Sequence, residues 1–204
     1  MESKDYLKDI SEIKHLMNKS SRFISLSGLS GILAGIYALI GAGFAYWLVK
    51  TYSNGTLLLD GTIFKLVLID LFLVAFFSIV TAIILTTRKA KKQGEKIWDG
   101  TSKRLVVNFL IPLLVGGLYI LIILGQQKYG QTGALMLIFY GLALINASKY
   151  SIGDIRYLGF IEIIIGLICA LFPGYGFWLW ILGFGIMHIV YGTWMYLKYD
   201  RKQP

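Results

Sequence analysis

Two ionisable residues, Glu162 and His188, stand inside apolar stretches of the C-terminal part of this 204-residue chain. The turn Phe172-Pro173-Gly174-Tyr175-Gly176 lies midway between them and predicts a tight antiparallel hairpin that brings both side chains to a similar depth. A carboxylate favours a charged imidazole beside it, whereas burial opposes both charges, so the two residues are predicted to share a proton or a hydrogen bond. A polar clamp that locks the hairpin is the first interpretation, because buried polar groups must find partners. A proton relay or a ligand site is the second.

Asp70 is a further acidic residue within an apolar run, and Lys65 precedes it by five positions. Ionisable groups at bilayer depth are costly and are therefore candidates for function. The lysine has a long stem and is able to snorkel outward. A hydrated charge near the membrane boundary is the simpler interpretation of Asp70, and a functional role is the alternative.

Familiar signatures of catalysis, cofactor binding and metal binding are missing from the sequence. It contains no GxSxG nucleophile elbow, no HExxH metal pair and no GxxxxGK[ST] phosphate loop. The two histidines, His15 and His188, fall in parts of the chain that the predicted topology separates, and the lone Cys169 allows neither a disulfide nor a thiolate cluster. The sequence therefore predicts a protein that is not an enzyme and that has no catalytic residue, cofactor or metal site.

The elements that carry these residues follow from the composition. Hydrophobic residues make up 56% of the chain and charged residues 15%, with a mean hydropathy of +0.68. This balance leaves too little polar surface for a water-soluble domain, and a membrane-spanning helix takes about 20 residues. The composition therefore excludes a soluble catalytic domain, a receptor ectodomain and a DNA-binding head.

Apolar runs bounded by charged residues predict an all-α, polytopic membrane helix bundle, with six transmembrane helices arranged as three hairpins over 23–197. The predicted spans are 23–49, 66–87, 105–125, 133–148, 157–172 and 177–197. With this count, the 20 Lys and Arg residues fall on one side of the membrane, apart from Lys50, Lys65 and Lys128. Because positive charge accumulates in cytoplasmic loops, both termini are predicted to be cytoplasmic.

The two ends of the chain are predicted cytoplasmic segments. Residues 1–22 carry apolar side chains at three- and four-residue steps after Ser3, a candidate N-cap, and this pattern predicts a short amphipathic helix. The helix is expected to lie on the bilayer surface or against a basic loop, and docking onto a cytoplasmic partner protein is the alternative. Residues 198–204 form the predicted C-terminal tail.

The formal charge of +9 is explained by topology and requires no acidic partner. Its densest part is the predicted loop 88–104, which begins with Arg88, Lys89, Lys91 and Lys92. This loop is expected to face the membrane and contact anionic lipid, and nucleic-acid binding is not expected.

Small residues in the first span predict a helix-packing face. Ser27, Gly31 and Gly35 recur at four-residue spacing, which lets two helix backbones approach closely, either within the chain or in a homo-oligomer. Two later runs, Ile138-Phe139-Tyr140-Gly141 and Ile189-Val190-Tyr191-Gly192, match at equivalent depth. Helices three–four and five–six are therefore predicted to be two copies of one hairpin.

The C-terminal hairpin resembles a known family. Gly159-Phe160-Ile161-Glu162-Ile163-Ile164-Ile165-Gly166, followed by Ala170-Leu171-Phe172-Pro173-Gly174, is similar to the helical hairpin of HdeD-type proteins, small bacterial membrane proteins built from such pairs. The whole chain also resembles uncharacterised six-span proteins of Bacteroidetes, chiefly through Ser25-Leu26-Ser27-Gly28-Leu29-Ser30-Gly31. The resemblance implies an association with stress or acid tolerance, without a known catalytic residue.

The functional expectation is a non-enzymatic integral inner-membrane protein that acts as an accessory, stress-response or regulatory component. The alternative is a small proton-coupled transporter or channel that uses Glu162 and His188. These alternatives differ in one structural property. A transporter requires a hydrated cavity that reaches Glu162, whereas a structural hairpin buries this carboxylate in a dry environment.

Overall fold

The computed structural model describes residues 26–52, 61–94 and 97–201. The predicted amphipathic helix over 1–22 and the last residues of the predicted tail, 202–204, lie outside the described residues. The described part of the chain is helical apart from short connections and contains no β-strand. The all-α class predicted from the sequence is therefore confirmed.

Six helices make up the described residues. They are α1 (Gly28–Tyr52), α2 (Thr62–Lys92), α3 (Gly100–Gly125), α4 (Tyr129–Ser148), α5 (Ile155–Leu171) and α6 (Pro173–Asp200). All except α5 are long and apolar enough to cross a membrane, and α5 has 17 residues. The last helix, α6, is irregular, because it contains π-helical segments at Ile181–Met187 and Tyr196–Asp200.

The helix α2 is longer than the predicted span 66–87, since it begins at Thr62 and ends at Lys92. Lysine and alanine are good helix formers, and the first helix-breaking residue after the span is Gly94, which adopts a positive φ of 65°. The start of the predicted basic loop is therefore helical, and Arg88, Lys89, Lys91 and Lys92 lie in the last turns of α2.

Asp99 begins α3 with a reciprocal capping box. Its Oδ1 accepts a hydrogen bond from the backbone N–H of Ser102 at 2.7 Å, and the Ser102 hydroxyl accepts one from the backbone N–H of Asp99 at 2.9 Å. The hydrogen bond from the Ser102 backbone is the main reason why the pKa of Asp99 lies below its ordinary value of 3.8. The cap moves the start of the third helix back to Gly100, ahead of the predicted position 105.

Asp99→Ala is expected to lower the free energy of unfolding by about 1 kcal/mol at neutral pH, because an N-cap is lost. Since the pKa of Asp99 is lowered by folding, its contribution is present above the unfolded-state pKa and is lost as the pH falls through the folded-state pKa. Thermal unfolding of both proteins in the same detergent, from neutral pH down to acid pH, measures this dependence. Asp99→Asn is the control, because asparagine caps without titrating. A deficit of Asp99→Ala that is independent of pH would contradict the prediction.

Packing places α1, α4, α5 and α6 at the centre of the bundle. The helix α4 packs along α5, and α1 packs along α6, while α2 lies on α1 and α3 lies on α4. Both α2 and α3 leave most of their apolar surface exposed in the described structure. Such apolar surface is what a helix at the lipid boundary presents.

The crossing of α4 and α5 depends on glycines that face backbone. A Cβ atom on Gly141 would lie 2.5 Å from the carbonyl oxygen of Gly159 and 3.0 Å from the backbone nitrogen of Ile163. A Cβ atom on Gly166 would lie 3.0 Å from the backbone nitrogen of Ile138. These distances are too short for any side chain, so the two backbones are in direct contact.

The crossing of α6 and α1 repeats this arrangement. A Cβ atom on Gly192 would lie 2.9 Å from the carbonyl oxygen of Gly28 and 2.6 Å from the backbone nitrogen of Ile32. A Cβ atom on Gly35 would lie 3.0 Å from the backbone nitrogen of Ile189. The second crossing thus follows from the first when α4 is replaced by α6 and α5 by α1. The matching runs around Tyr140 and Tyr191 predict the correspondence of α4 with α6, whereas they do not predict that of α5 with α1.

The predicted packing face on the first helix is used within the chain. Gly31 and Gly35 both contact α6, and Gly28 extends the same contact by one turn. Ser27 precedes the helix, and its carbonyl oxygen accepts hydrogen bonds from Ser30. Because α6 occupies this face, the face is not free for a homo-oligomer contact.

Candidate functional site

The two ends of the bundle differ in chemistry. We call the end where α1 and α5 begin the basic end. Its described residues include Lys89, Asp154, Lys198 and Asp200, which join neighbouring helices. We call the opposite end the aromatic end. There, the Tyr46 ring of α1 lies against the rings of Phe177 and Trp178 at the start of α6.

Asp200 joins three helices at the basic end. Its Oδ2 accepts a hydrogen bond from the backbone N–H of Gly28, the first residue of α1, at 2.9 Å. Its Oδ1 lies 2.5 Å from Nζ of Lys89 in α2, which also donates to the carbonyl oxygen of Leu26 at 2.9 Å. The sequence groups Lys89 with lipid-facing cations, but its side chain is only 14% exposed and is paired. Arg88, Lys91 and Lys92 are exposed.

Asp200→Asn is expected to lower the free energy of unfolding by about 1.5 to 3 kcal/mol, the range for hydrogen bonds to charged groups. Asparagine keeps an acceptor for the N–H of Gly28 but removes the negative charge that faces Lys89. Unfolding in detergent measures the loss. Lys91→Gln is the matched control, because Lys91 is exposed and has no ion-pair partner in the described residues. Equal losses in the two variants would show that the ion pair contributes nothing.

A second polar contact at the basic end joins α5 to α6. Asp154, which precedes α5, has its Oδ2 2.6 Å from Nζ of Lys198, and it accepts a hydrogen bond from the Tyr199 hydroxyl at 2.5 Å. Partial burial raises the pKa of Asp154, but the bonds from Lys198 and Tyr199 outweigh burial, so the net pKa lies below its ordinary value. Asp154 is therefore a carboxylate at neutral pH.

Glu162 is fully buried, with 0% exposure. It projects from α5 toward α6, and one of its oxygens occupies the space where Gly183 would carry a side chain. The side chain of Leu137 from α4 approaches Gly183 as well. Gly183 is therefore the residue that makes room for a carboxylate between three helices.

His188 faces this carboxylate from α6 and is 6% exposed. Its Nδ1 lies 3.3 Å from Oε1 of Glu162 and 3.0 Å from the carbonyl oxygen of Gly183. Its Nε2 lies 2.8 Å from the hydroxyl oxygen of Tyr140 in α4. The π-helical segment Ile181–Met187 ends immediately before His188, and π-turns of this kind are frequent at functional sites. The structure thus brings together the two residues that the predicted hairpin placed opposite each other.

Protonation of Nε2 of His188 decides the direction of its hydrogen bond with Tyr140. A carbonyl oxygen only accepts hydrogen bonds, so the contact with Gly183 places a proton on Nδ1. With a second proton on Nε2, the imidazolium donates to Tyr140 and balances a carboxylate at Glu162. Without it, Nε2 accepts from the Tyr140 hydroxyl.

Rings and aliphatic groups surround the pair. The ring of Phe184 lies 5.8 Å from that of His188 and 5.1 Å from that of Tyr140. Toward the aromatic end, the core of Ala134, Leu137, Ile165 and Cys169 closes the bundle. Cys169 is fully buried there as a small packing residue.

The other predicted polar residues lie elsewhere. Asp70 lies on α2 against Gly41 of α1, so it is not part of the Glu162 cluster. Lys65 is exposed, and the two form no ion pair with each other. No group of three His, Cys, Asp or Glu residues that could hold a metal ion occurs within the described ranges.

Three contributors to these polar contacts were not identified from the sequence. Tyr140 is predicted only as part of a repeated run, and no motif singles out Gly183 or Asp200. The repeated run predicts the depth of Tyr140 in the bundle. Its contact with His188 depends on the orientation of α4 about its own axis relative to α6. Only the packed structure provides this information.

The fold is that of a multi-helix chain in which five of the described helices are able to cross a membrane. No family model, curated protein or solved structure matches the chain. The resemblance to HdeD-type hairpins and to six-span proteins of Bacteroidetes stays a prediction from the sequence.

Proposed function

We propose that the chain is a non-enzymatic, multi-pass protein of the bacterial inner membrane that acts as an accessory, stress-response or regulatory component. The observation that carries this proposal is the burial of Glu162, whose exposure is 0%, beside His188, whose exposure is 6%. A site that acts on a solute must be open to that solute. A buried polar cluster that holds three helices together requires no such access.

Six spans with both termini in the cytoplasm are part of the proposal. The helix α5 has 17 residues and is about 25 Å long at 1.5 Å per residue, close to the hydrocarbon thickness of about 30 Å. Lys89, Lys198 and Arg201 lie at the basic end, as expected for a cytoplasmic face. The exposed cations Arg88, Lys91 and Lys92 fit a contact with anionic lipid headgroups.

The span count is tested by cysteines on either side of α5. Gly153→Cys and Gly174→Cys flank this helix, and Cys169→Ala provides a background without the native thiol. A membrane-impermeant maleimide is expected to label the two positions from opposite faces of the membrane. Labelling from the same face would remove α5 from the set of spans.

Native mass spectrometry of the gently solubilised chain tests the accessory role. A co-purified protein in fixed ratio is expected, and residues 1–22 are the proposed contact. A chain that stays alone, in detergent and in nanodiscs of native lipid, would contradict the role as an accessory component.

A proton-coupled transporter or channel is the second candidate. One observation favours it, because neither carboxylate oxygen of Glu162 has a hydrogen-bond partner in the described structure apart from the contact with His188. A buried carboxyl group without hydrogen bonds destabilises the fold, and an ionisable group at membrane depth is therefore a candidate for function. Proteoliposomes with a trapped pH-sensitive dye distinguish the candidates. The first proposal predicts no net proton uptake, whereas transport predicts uptake that Glu162→Gln abolishes.

A further inference from the structure

Asp70 is a carboxyl group without a partner in the seam between α1 and α2. A Cβ atom on Gly41 of α1 would lie 3.2 Å from its Oδ2 and 3.4 Å from its Oδ1. Gly41 therefore makes room for this carboxyl group, as Gly183 does for Glu162. Glu162 meets His188, whereas Asp70 has no hydrogen-bond or ion-pair partner among the described residues.

The position of Gly41 along α1 places Asp70 inside the apolar layer. Gly41 stands six residues, or about 9 Å, before Trp47, and thirteen residues, or about 20 Å, after Gly28 at the basic end. Exposed tryptophan is typical of the interface between lipid and water, so Trp47 marks that level at the aromatic end. Aspartate lacks the long stem with which lysine reaches the interface. The carboxyl group therefore lies below the hydrated boundary at which the simpler interpretation places it.

Neighbouring polar groups do not compensate Asp70. Lys65 is exposed, stands five residues, or about 8 Å, closer to the aromatic end, and forms no ion pair with it. Tyr37 lies one turn from Gly41 toward the basic end, and its hydroxyl oxygen is 3.3 Å from Oγ1 of Thr81. Ionisable groups inside a membrane normally pair with one another or face a water-filled cavity. Asp70 thus lacks the partner that its depth requires.

Exposed apolar side chains surround Asp70 on both helices of the seam. They include Leu66, Ile69 and Leu73 of α2 and Ile40 and Phe44 of α1. Asp70 itself is half-buried, so its side chain is reachable from outside the bundle. The seam therefore presents an apolar surface with a single acidic group in it.

The complement of this surface is a cation that carries apolar surface of its own. A metal ion takes several oxygen ligands, and Asp70 supplies one carboxyl group. A second copy of the chain cannot supply an organic cation at this depth, because no Lys or Arg occurs within the six predicted spans. A transmembrane helix of a different protein supplies both a basic side chain and an apolar face.

We propose that the α1–α2 seam is a docking surface for a transmembrane helix of a different protein, and that Asp70 binds a lysine or arginine of that helix about 9 Å below the aromatic-end interface. This rests on the proposed role as an accessory component, for which it names the kind of partner. Apolar contacts hold the helix in the seam. The ion pair selects it, because a helix without the cation leaves Asp70 covered and unpaired.

The test uses the full chain in liposomes of phosphatidylcholine and phosphatidylglycerol, together with synthetic helices of about 20 leucine and alanine residues. Each peptide has tryptophan at both ends. One peptide carries a lysine about 9 Å along the helix from one tryptophan, and the matched peptide carries leucine there. Energy transfer between a dye on the peptide and a dye at the C-terminus of the chain measures association. The lysine peptide is expected to bind about tenfold more tightly than the leucine peptide, the scale of one polar contact between membrane helices.

Asp70→Asn is the decisive variant, because it keeps the shape of the side chain and removes its charge. It should bind the two peptides equally well, with a thermal stability no lower than that of the parent chain, since Asp70 has no partner within the chain to lose. Asp99→Asn is the matched control. It removes a carboxylate at the start of α3, keeps the helix cap and should prefer the lysine peptide as the parent does.

Two outcomes would overturn the proposal. One is equal binding of the lysine and leucine peptides to the parent chain, and the other is a preference for lysine that survives in Asp70→Asn. Neither outcome bears on the accessory role itself. A co-purified protein that contacts residues 1–22 is detected by native mass spectrometry whether or not a helix docks at Asp70.

Discussion

Replacing His188 with phenylalanine is expected to lower the free energy of unfolding by about 2 to 6 kcal/mol, because two buried polar groups, on Glu162 and Tyr140, each lose a partner at a cost of about 1 to 3 kcal/mol. Phenylalanine keeps a ring of similar size beside Phe184, so the loss reflects polar contacts more than a cavity. Glu162 is fully buried and has no other partner in the described structure, and the Tyr140 hydroxyl loses its hydrogen bond with Nε2. Equilibrium unfolding in mixed detergent measures the effect.

A double-mutant cycle separates the pair from simple packing. Glu162→Leu in the His188→Phe background is expected to recover at least half of the loss, because no buried carboxylate then remains. Tyr140→Phe alone is the control and should cost about 1 kcal/mol, the value of one neutral hydrogen bond. If Glu162→Leu and His188→Phe are additive, the two side chains do not interact, and the contact at 3.3 Å is without energetic consequence.

Valine at Gly141 or at Gly192 is expected to lower the free energy of unfolding by about 3 kcal/mol, the upper range for overpacking. At Gly141 the obstructing atom is the carbonyl oxygen of Gly159, and at Gly192 it is the backbone of Ile32 and Gly28. Backbone atoms inside a helix do not rotate away as a side chain does. Both crossings should therefore separate, and unfolding in detergent will report the change.

Gly43 and Gly117 provide the matched controls, because open space surrounds the position of a Cβ atom at both. Valine there should leave stability unchanged or slightly higher, since glycine is less favourable than alanine in a helix by about 1 kcal/mol. The repeated geometry adds a stricter condition, namely equal losses at Gly141 and Gly192. A large loss at only one of them would show that the two crossings are not equivalent in energy.

The helices were largely predictable, because hydrophobic runs are a local property of the sequence. The five helices that are able to span a membrane each overlap a predicted span, and the differences lie at the ends. For α2, the prediction stopped at the first cation, Arg88, but the helix continues to Lys92. Positive charge marks the membrane boundary, whereas a helix ends where its backbone is capped or broken.

The polar core was predictable in part. A tight turn at Pro173-Gly174 fixes which residues of its two helices lie opposite each other, so the proximity of Glu162 and His188 followed from counting. Tyr140 belongs to a different hairpin, and no local rule states that its hydroxyl reaches Nε2 of His188. The same limit applies to Lys89, which a charge pattern assigns to lipid but which Asp200 binds from 111 residues away.

The sequence by itself determined that the chain is helical and apolar enough for a membrane. It also determined that the last hairpin carries one buried carboxyl group and one imidazole. Periodicity, charge and turn chemistry are local properties, and each of these features follows from them. Only the tertiary structure decided that α1 packs on α6 and that Tyr140 completes the polar cluster around Glu162. Those contacts join residues distant in the sequence, and they depend on how far glycine lets two backbones approach and how each helix is rotated.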